Sequence, residues 1–229
     1  MNEETNNEFK KNLEKFKKMA KRGKETKMDK KPQIIVVGRS NVGKSTLVRL
    51  ITKKDVRVGK KPGVTLKINK YDVGNFILVD LPGFGFMTGL EEKVQNKIKK
   101  EIIQYIEDNK EQIVGSIILI DVKAFPSIVE RWDSKDEIPI DIEMFDFLNE
   151  LELNPSIFIN KMDKIKKNDQ DKTIDKIAEI FGYPSPWRQW INDIITIGIL
   201  KEGIGLNEVM TKINNNVNEY NRLKSKKHS

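Results

Sequence analysis

Gly38, Arg39, Ser40, Asn41, Val42, Gly43, Lys44, Ser45 and Thr46 stand in a spacing that can hold a polyphosphate. They fit G-x-x-x-x-G-K-[ST], in which backbone N–H groups wrap the phosphates, the lysine neutralises the β and γ oxygens, and the hydroxyl holds Mg²⁺. The apolar run Ile34-Ile35-Val36-Val37 precedes the motif and Leu47-Val48-Arg49-Leu50-Ile51 follows it, so a buried strand, a glycine loop and an amphipathic helix succeed one another. That helix starts with its positive dipole end facing the anion.

Two further motifs extend this chemistry. Asp80 closes the apolar run Phe76-Ile77-Leu78-Val79 and is followed by Leu81, Pro82 and Gly83. A carboxylate there can accept hydrogen bonds from the water shell of Mg²⁺, while the Gly83 N–H can reach a γ-phosphate. Upstream, residues 54–66 turn polar and include Gly59, Pro62 and Gly63, with Val64 beside them, which reads as a mobile loop rather than a packed element. Thr65 in that loop can close on Mg²⁺ and the γ-phosphate in the triphosphate state alone. Lys44, Thr65, Asp80 and Gly83 are therefore the expected catalytic set, and Ser45, Thr65 and, through water, Asp80 the expected metal set.

Asn160, Lys161, Met162 and Asp163 follow the strand Ser156-Ile157-Phe158-Ile159. Guanine offers two donors on one edge, N1–H and the exocyclic amine, and the Asp163 carboxylate can accept both; adenine has no matching pair. Asn160 and the stem of Lys161 can brace the base and the phosphate loop. As the third motif in this order, the tetrad favours GTP over ATP.

The elements that must position these residues alternate. Strands are expected at 33–37, 67–73, 76–79, 113–122, 156–159 and 194–197, with helices at about 43–53, after Pro82-Gly83, and at 141–151, 172–181 and 206–217. The pattern reads as α/β, a P-loop NTPase fold: a mostly parallel six-stranded sheet with one antiparallel edge strand and helices on both faces. In such sheets ligands sit at the carboxyl ends of the strands, where every motif above falls. Residues 124–139 show no clean period and are expected as an exposed excursion with Trp132 folded back, while Trp187 and Trp190 are expected to pack in the core or at a hinge. A basic amphipathic extension, residues 1–30, carries Phe9, Leu13, Phe16, Met19 and Ala20 at helical spacing; a nucleotide-binding domain is expected over 31–219 and a basic tail over 220–229.

The 229 residues carry a net charge of +8, which favours a polyanionic partner such as RNA beyond the nucleotide itself. No apolar run approaches the roughly 20 residues of a membrane helix. The start is polar with no apolar core of a secretory signal, and the absence of cysteine suits a reducing cytoplasm. A monomer away from membranes is expected.

The motifs resemble the translation-factor-like P-loop GTPases, within them the TrmE-Era-EngA-EngB-septin-like class, and more narrowly the EngB (YihA/YsxC) family. The resemblance rests on Gly38 to Ser45, on Lys61-Pro62-Gly63-Val64-Thr65, on Val79-Asp80-Leu81-Pro82-Gly83-Phe84-Gly85-Phe86 and on Leu200-Lys201-Glu202-Gly203-Ile204, within residues 30–218. It implies a small Mg²⁺-dependent GTPase linked to assembly of the large ribosomal subunit or its rRNA, and to normal cell division and septation. It also places Gly198, Ile199 and Leu200 in the loop that braces guanine, with the Ile199 N–H meeting O6. Where many GTPases carry a water-orienting glutamine this chain has Phe84, so slow intrinsic turnover is expected. Asn41 sits where K⁺-requiring relatives carry an asparagine, which makes K⁺ a candidate cofactor. Three readings follow: a hydrolysing switch, a GTP- or GDP-gated RNA-binding module with negligible turnover, and a direct regulator of septation.

Overall fold

In the computed structural model, residues 31–53, 67–83, 92–191 and 194–226 are described. The chain divides into two units, 1–31 and 32–229, and of the first only Lys31 is described. The expected N-terminal helix, the loop with Gly63, Val64 and Thr65, and Phe84 lie outside the described residues.

Six strands form one sheet in the order β2-β3-β1-β4-β5-β6: β1 Gln33–Gly38, β2 Asn69–Asp72, β3 Ile77–Asp80, β4 Ile113–Asp121, β5 Pro155–Asn160 and β6 Ile195–Ile197. Every pairing is parallel except β2 with β3, the expected antiparallel edge. β1, β3 and β4 are buried along their whole length, which is why they read as unbroken apolar runs: helices cover both faces. The edge hairpin turns at Gly74, whose φ of 100° is unfavourable for side-chain-bearing residues, with the Gly74 N–H donating to Asp72 Oδ1 at 2.9 Å.

The helices are α1 Lys44–Thr52, α2 Glu92–Asn109, α3 Ala124–Asp133, α4 Ile140–Glu150, α5 Gln170–Ile180 and α6 Leu206–Lys226. Leu47, Val48 and Ile51 of α1 and Val209, Ile213 and Val217 of α6 share one core cluster with Ile34, Val36, Leu78, Leu119 and Phe158 of the sheet. These spacings of three, four and one put each helix's apolar stripe on the strands.

Two expectations are corrected. Residues 124–133 are helix α3 and not an irregular excursion. Pro126 obscures the period, yet it occupies the first turn, where a helix needs no N–H donor, and Phe125, Ile128, Val129 and Trp132 repeat at helical spacing. The last helix also continues past Val217 to Lys226, so residues 220–226 are helical. Trp187 packs in the core as expected, its indole N–H donating to Asp171 Oδ1 at 3.2 Å, while Trp190 is half-buried and donates to the Pro184 carbonyl.

α3 is anchored by Phe125, which stacks on Phe181 with ring centroids 5.3 Å apart; Phe145 of α4 meets the same ring edge-on at 5.1 Å. Phe125→Ala is expected to cost about 3–5 kcal/mol, the range for truncating a buried aromatic. Urea denaturation followed by tryptophan fluorescence checks this; a loss below about 1 kcal/mol would mean that α3 is not docked in solution.

Candidate functional site

The carboxyl ends of β1, β3, β4 and β5 carry Gly38, Asp80, Asp121 and Asn160. From Gly38 the chain loops into α1, and Lys44, the first helical residue, folds its side chain back inside that loop. Its Nζ donates to the carbonyls of Gly38 at 2.8 Å and Arg39 at 2.9 Å. Asn41 adopts φ 66°, the left-handed region that asparagine tolerates better than most residues. Gly43, at φ 117°, lies against β5: a Cβ there would stand 2.3 Å from Asn160 Nδ2.

Asp80 is 1% exposed and Lys44 8%. Burial pushes the Asp80 carboxyl up to about 6 although Lys44 pulls the other way, and burial lowers Lys44 to about 8 although Asp80 and Asp141 oppose it. Among the described residues, Asp80 Oδ1 is buried and makes no hydrogen bond. Gly83 closes against the loop, since a Cβ on it would lie 3.0 Å from both Lys44 Nζ and Ser40 Oγ. Thus Ser40, Lys44, Asp80 and Gly83 are brought together; Thr65 lies outside the described residues.

At the other end, Asn160 Nδ2 donates to the Val42 carbonyl at 2.8 Å and its Oδ1 accepts from the Leu200 N–H at 3.0 Å. Lys161 donates to the Asn41 carbonyl and, at 2.7 Å, to Asp121 Oδ2; Lys164 reaches the same oxygen at 3.3 Å. Those lysine hydrogen bonds outweigh burial and hold the Asp121 carboxyl below the usual carboxylate range. Asp163 meets Lys201 at 2.6 Å. A cavity of about 310 Å³ runs from Asn41, Gly43, Lys44, Ser45 and Thr46 to Asp163, Ile199, Leu200 and Lys201.

The structure places the remaining expected residues as follows. The Ile199 N–H donates to the Ile204 carbonyl at 3.2 Å, so it is already paired and does not point an unpaired donor at a base. Gly198 does not line the cavity; a Cβ on it would strike the Ile204 carbonyl at 2.3 Å and the Phe158 ring at 2.7 Å, so close packing explains that glycine. The Arg39 side chain turns away from Lys44 and donates to Asp141 Oδ2, with the Trp132 ring centroid 5.9 Å from its guanidinium carbon. Val42, Leu81 and Met162 put their side chains in the core, and the Leu81 N–H donates to the Val36 carbonyl. Sequence reasoning missed Asp121, Asp141, Lys164 and Lys201. Only Asp121 had a readable signal, an acid closing a buried strand as Asp80 does.

A family model described as 50S ribosome-binding GTPase matches residues 33–161. The chain is similar to a probable GTP-binding protein EngB of Methanococcus aeolicus, 94% identical over 99% of this chain and all of that protein. It is also similar to a probable GTP-binding protein EngB of Methanococcus maripaludis, 53% identical over 97% of this chain and 96% of that one. A crystal structure of a probable GTP-binding protein engB superposes with a TM-score of 0.73 at 42% identity, covering 82% of this chain and 99% of that chain.

The buried Asp80 carboxyl makes a pH prediction. Its pKa in the folded protein, about 6, lies above the ordinary 3.8, so between those values the folded form binds a proton that the unfolded form has lost. Stability from this group is present below about pH 4 and lost as pH rises to 6, about 3 kcal/mol for a shift near two units. Protein stripped of nucleotide and metal, denatured with urea across this range, should lose less stability as Asp80→Asn than as wild type. Parallel curves for the two proteins would contradict the raised pKa.

Proposed function

Because the chain belongs to the EngB family of GTP-binding proteins, a GTPase family, we propose that it hydrolyses GTP to GDP and phosphate as a switch in assembly of the large ribosomal subunit. One observation carries the nucleotide reading: the cavity that holds Lys44 and Ser45 at one end opens on Asp163 at the other. Phosphates at the first end and guanine N1–H and N2–H₂ at the second match the donors and acceptors present. The ribosomal reading is supported by the description of the matched family model and by the basic end of α6, Arg222, Lys224 and Lys226. Through subunit assembly it extends to normal cell division and septation, in the cytoplasm and as a monomer. Among the described residues no helix is long and apolar enough to cross a membrane.

In this reading Lys44 neutralises the β and γ oxygens while backbone N–H groups from Ser40 to Thr46 fix the phosphates, and the Gly83 N–H reports whether the γ-phosphate is present. The buried, unpaired Asp80 oxygen and the Ser45 hydroxyl form a hard oxygen donor set that fits Mg²⁺, with Asp80 reaching it through water. Mg²⁺, when bound, supplies charge neutralisation across the β and γ phosphates. Thr65, which lies outside the described residues, is the one within residues 54–66 proposed to meet Mg²⁺ and the γ-phosphate in the triphosphate state. With Phe84 where a water-orienting glutamine could stand, the chain's contribution to hydrolysis is positioning and charge stabilisation. Phe84 is also what favours the second reading, a nucleotide-gated ribosome-binding module with negligible turnover.

Asn41 is the proposed K⁺ ligand. Asparagine also suits the left-handed φ of 66° at this position for conformational reasons. Asn41→Gly keeps the backbone accessible and removes only the side chain.

Phosphate release should be slow for the protein alone, faster in KCl than NaCl, and accelerated by large ribosomal subunits. Lys44→Ala should lower it by about 10²- to 10³-fold, and Asn41→Gly should erase the difference between the two salts. Turnover unchanged by subunits would favour the module over the switch, and equal rates of wild type in the two salts would remove K⁺ from the mechanism. Sedimentation with subunits that is the same in GDP and in a non-hydrolysable GTP analogue would overturn both readings.

A further inference from the structure

α2 and α4 each carry more apolar surface than the sheet covers. On α2, Ile98, Ile102 and Ile106 are buried at a spacing of four, and Ile103, one residue off that stripe, is 40% exposed. On α4, Phe145 and Leu148 are buried, while Ile140, Met144 and the half-buried Phe147 run beside them as a second stripe at spacings of four and three. Ile102 and Ile103 of α2 and this second stripe of α4 enclose an apolar groove of about 270 Å³, with Lys99 on one wall and Glu143 on the other. The groove shares no lining residue with the nucleotide cavity.

The charge around the groove runs against that of the chain. The protein carries a net charge of +8, yet residues 136–152 contain no lysine or arginine. Asp136, Glu137, Glu143, Asp146, Glu150 and Glu152 are all exposed there. Glu143, Asp146 and Glu150 follow one another at spacings of three and four, which sets them as a ridge along the solvent side of the apolar stripe. Like charges at those spacings weaken a helix, and Glu150 stands in the last turn, at the negative end of the helix dipole. Among the described residues none of the three is in an ion pair. Folding alone does not ask for this ridge. We propose that the groove docks a basic amphipathic helix of a second protein, with apolar anchors at i, i+3 or i+4, and i+7 between α2 and α4 and its lysines and arginines over the ridge. An extended peptide would find no open strand between two helices, since the sheet edges are β2 and β6. The acids repel phosphodiesters and anionic lipid, so this face differs in partner from the basic end of α6. The inference goes beyond the nucleotide reading and does not depend on it.

Fluorescence anisotropy of a labelled leucine–lysine peptide of about 18 residues, its leucines at i, i+3, i+4 and i+7, titrated with the full chain tests this. The peptide should bind at least about tenfold tighter than a leucine–glutamate peptide of the same pattern. On a chain of net charge +8 general attraction favours the acidic peptide, so a preference for the basic one reports this face. Glu143→Lys combined with Glu150→Lys should weaken the basic peptide about four- to twenty-fold, and Ile103→Asp at least about fivefold. These residues are exposed and away from the nucleotide cavity, so GDP binding by the variants should match wild type. No binding of the basic peptide, equal binding of the two peptides, or variants that bind as wild type does would overturn the proposal. Weaker oligouridylate binding by Ile103→Asp would give the face to RNA, and a dimer in sedimentation equilibrium that Ile103→Asp dissociates would give it to a second copy of this chain; either would overturn it as well.

Discussion

A carboxamide offers one donor group and one acceptor, and Asn160, 4% exposed at the end of β5, commits both to backbone. Through Val42 it holds the phosphate loop, and through Leu200 it holds the loop that follows β6. Neither loop could shift alone without leaving a buried amide group unpaired, a penalty of about 1–3 kcal/mol. The same contact dictates Gly43, because any side chain there would occupy the space of the amide nitrogen. The distance between the phosphate end and the base end of the cavity is thus set by one residue on a rigid strand.

Around that joint the chain accepts buried charge. Lys44 and Asp80 are both desolvated and each is pushed toward neutrality, and beneath the loop Asp141 is also raised by burial in spite of Arg39. A protein selected for stability alone would fill these positions with apolar groups. Their gathering around the ends of β1 and β3, Asp80 on the strand and Lys44 and Asp141 at the starts of helices, is the mark of a site where charge is meant to meet charge, and the covered sheet below supplies the stability that offsets it.

The sheet was legible because burial on both faces leaves its imprint in consecutive residues: Ser116-Ile117-Ile118-Leu119-Ile120 has no amphipathic alternative. α3 was not, since Pro126 reads as a break unless its place in the first turn is known. The phosphate loop, Asp80 and the Asn160 tetrad were legible because their chemistry is encoded within a few residues. Lys201 was not, because its role arises from a partner 38 residues away that only the fold brings near, and the strand-end position of Asp121 gave no sign of its partner 40 residues on. The pairing of the Ile199 amide has the same origin: Ile204 accepts from it across a turn in which Gly198 lets the chain lie on the Phe158 ring.

The two ends of the cavity ask different things of a ligand. Lys44 is buried, donates to neutral carbonyls and has only the Asp80 and Asp141 carboxyls acting on it at longer range, so an anion offered to it meets an ammonium in a medium that screens weakly. Asp163 is solvated and its partner is itself a cation, so a base offered to it replaces one charge-assisted bond with another. Gain per contact is therefore steeper at the phosphates than at the base. A nucleotide of any base should owe most of its affinity to the strand ends around Lys44, and the identity of the base should be decided by the smaller differences at Asp163. Such a division suits the proposed switch between diphosphate and triphosphate, because in that reading what changes between the two states lies next to Lys44, Asp80 and Gly83, at the other end of the cavity from Asp163.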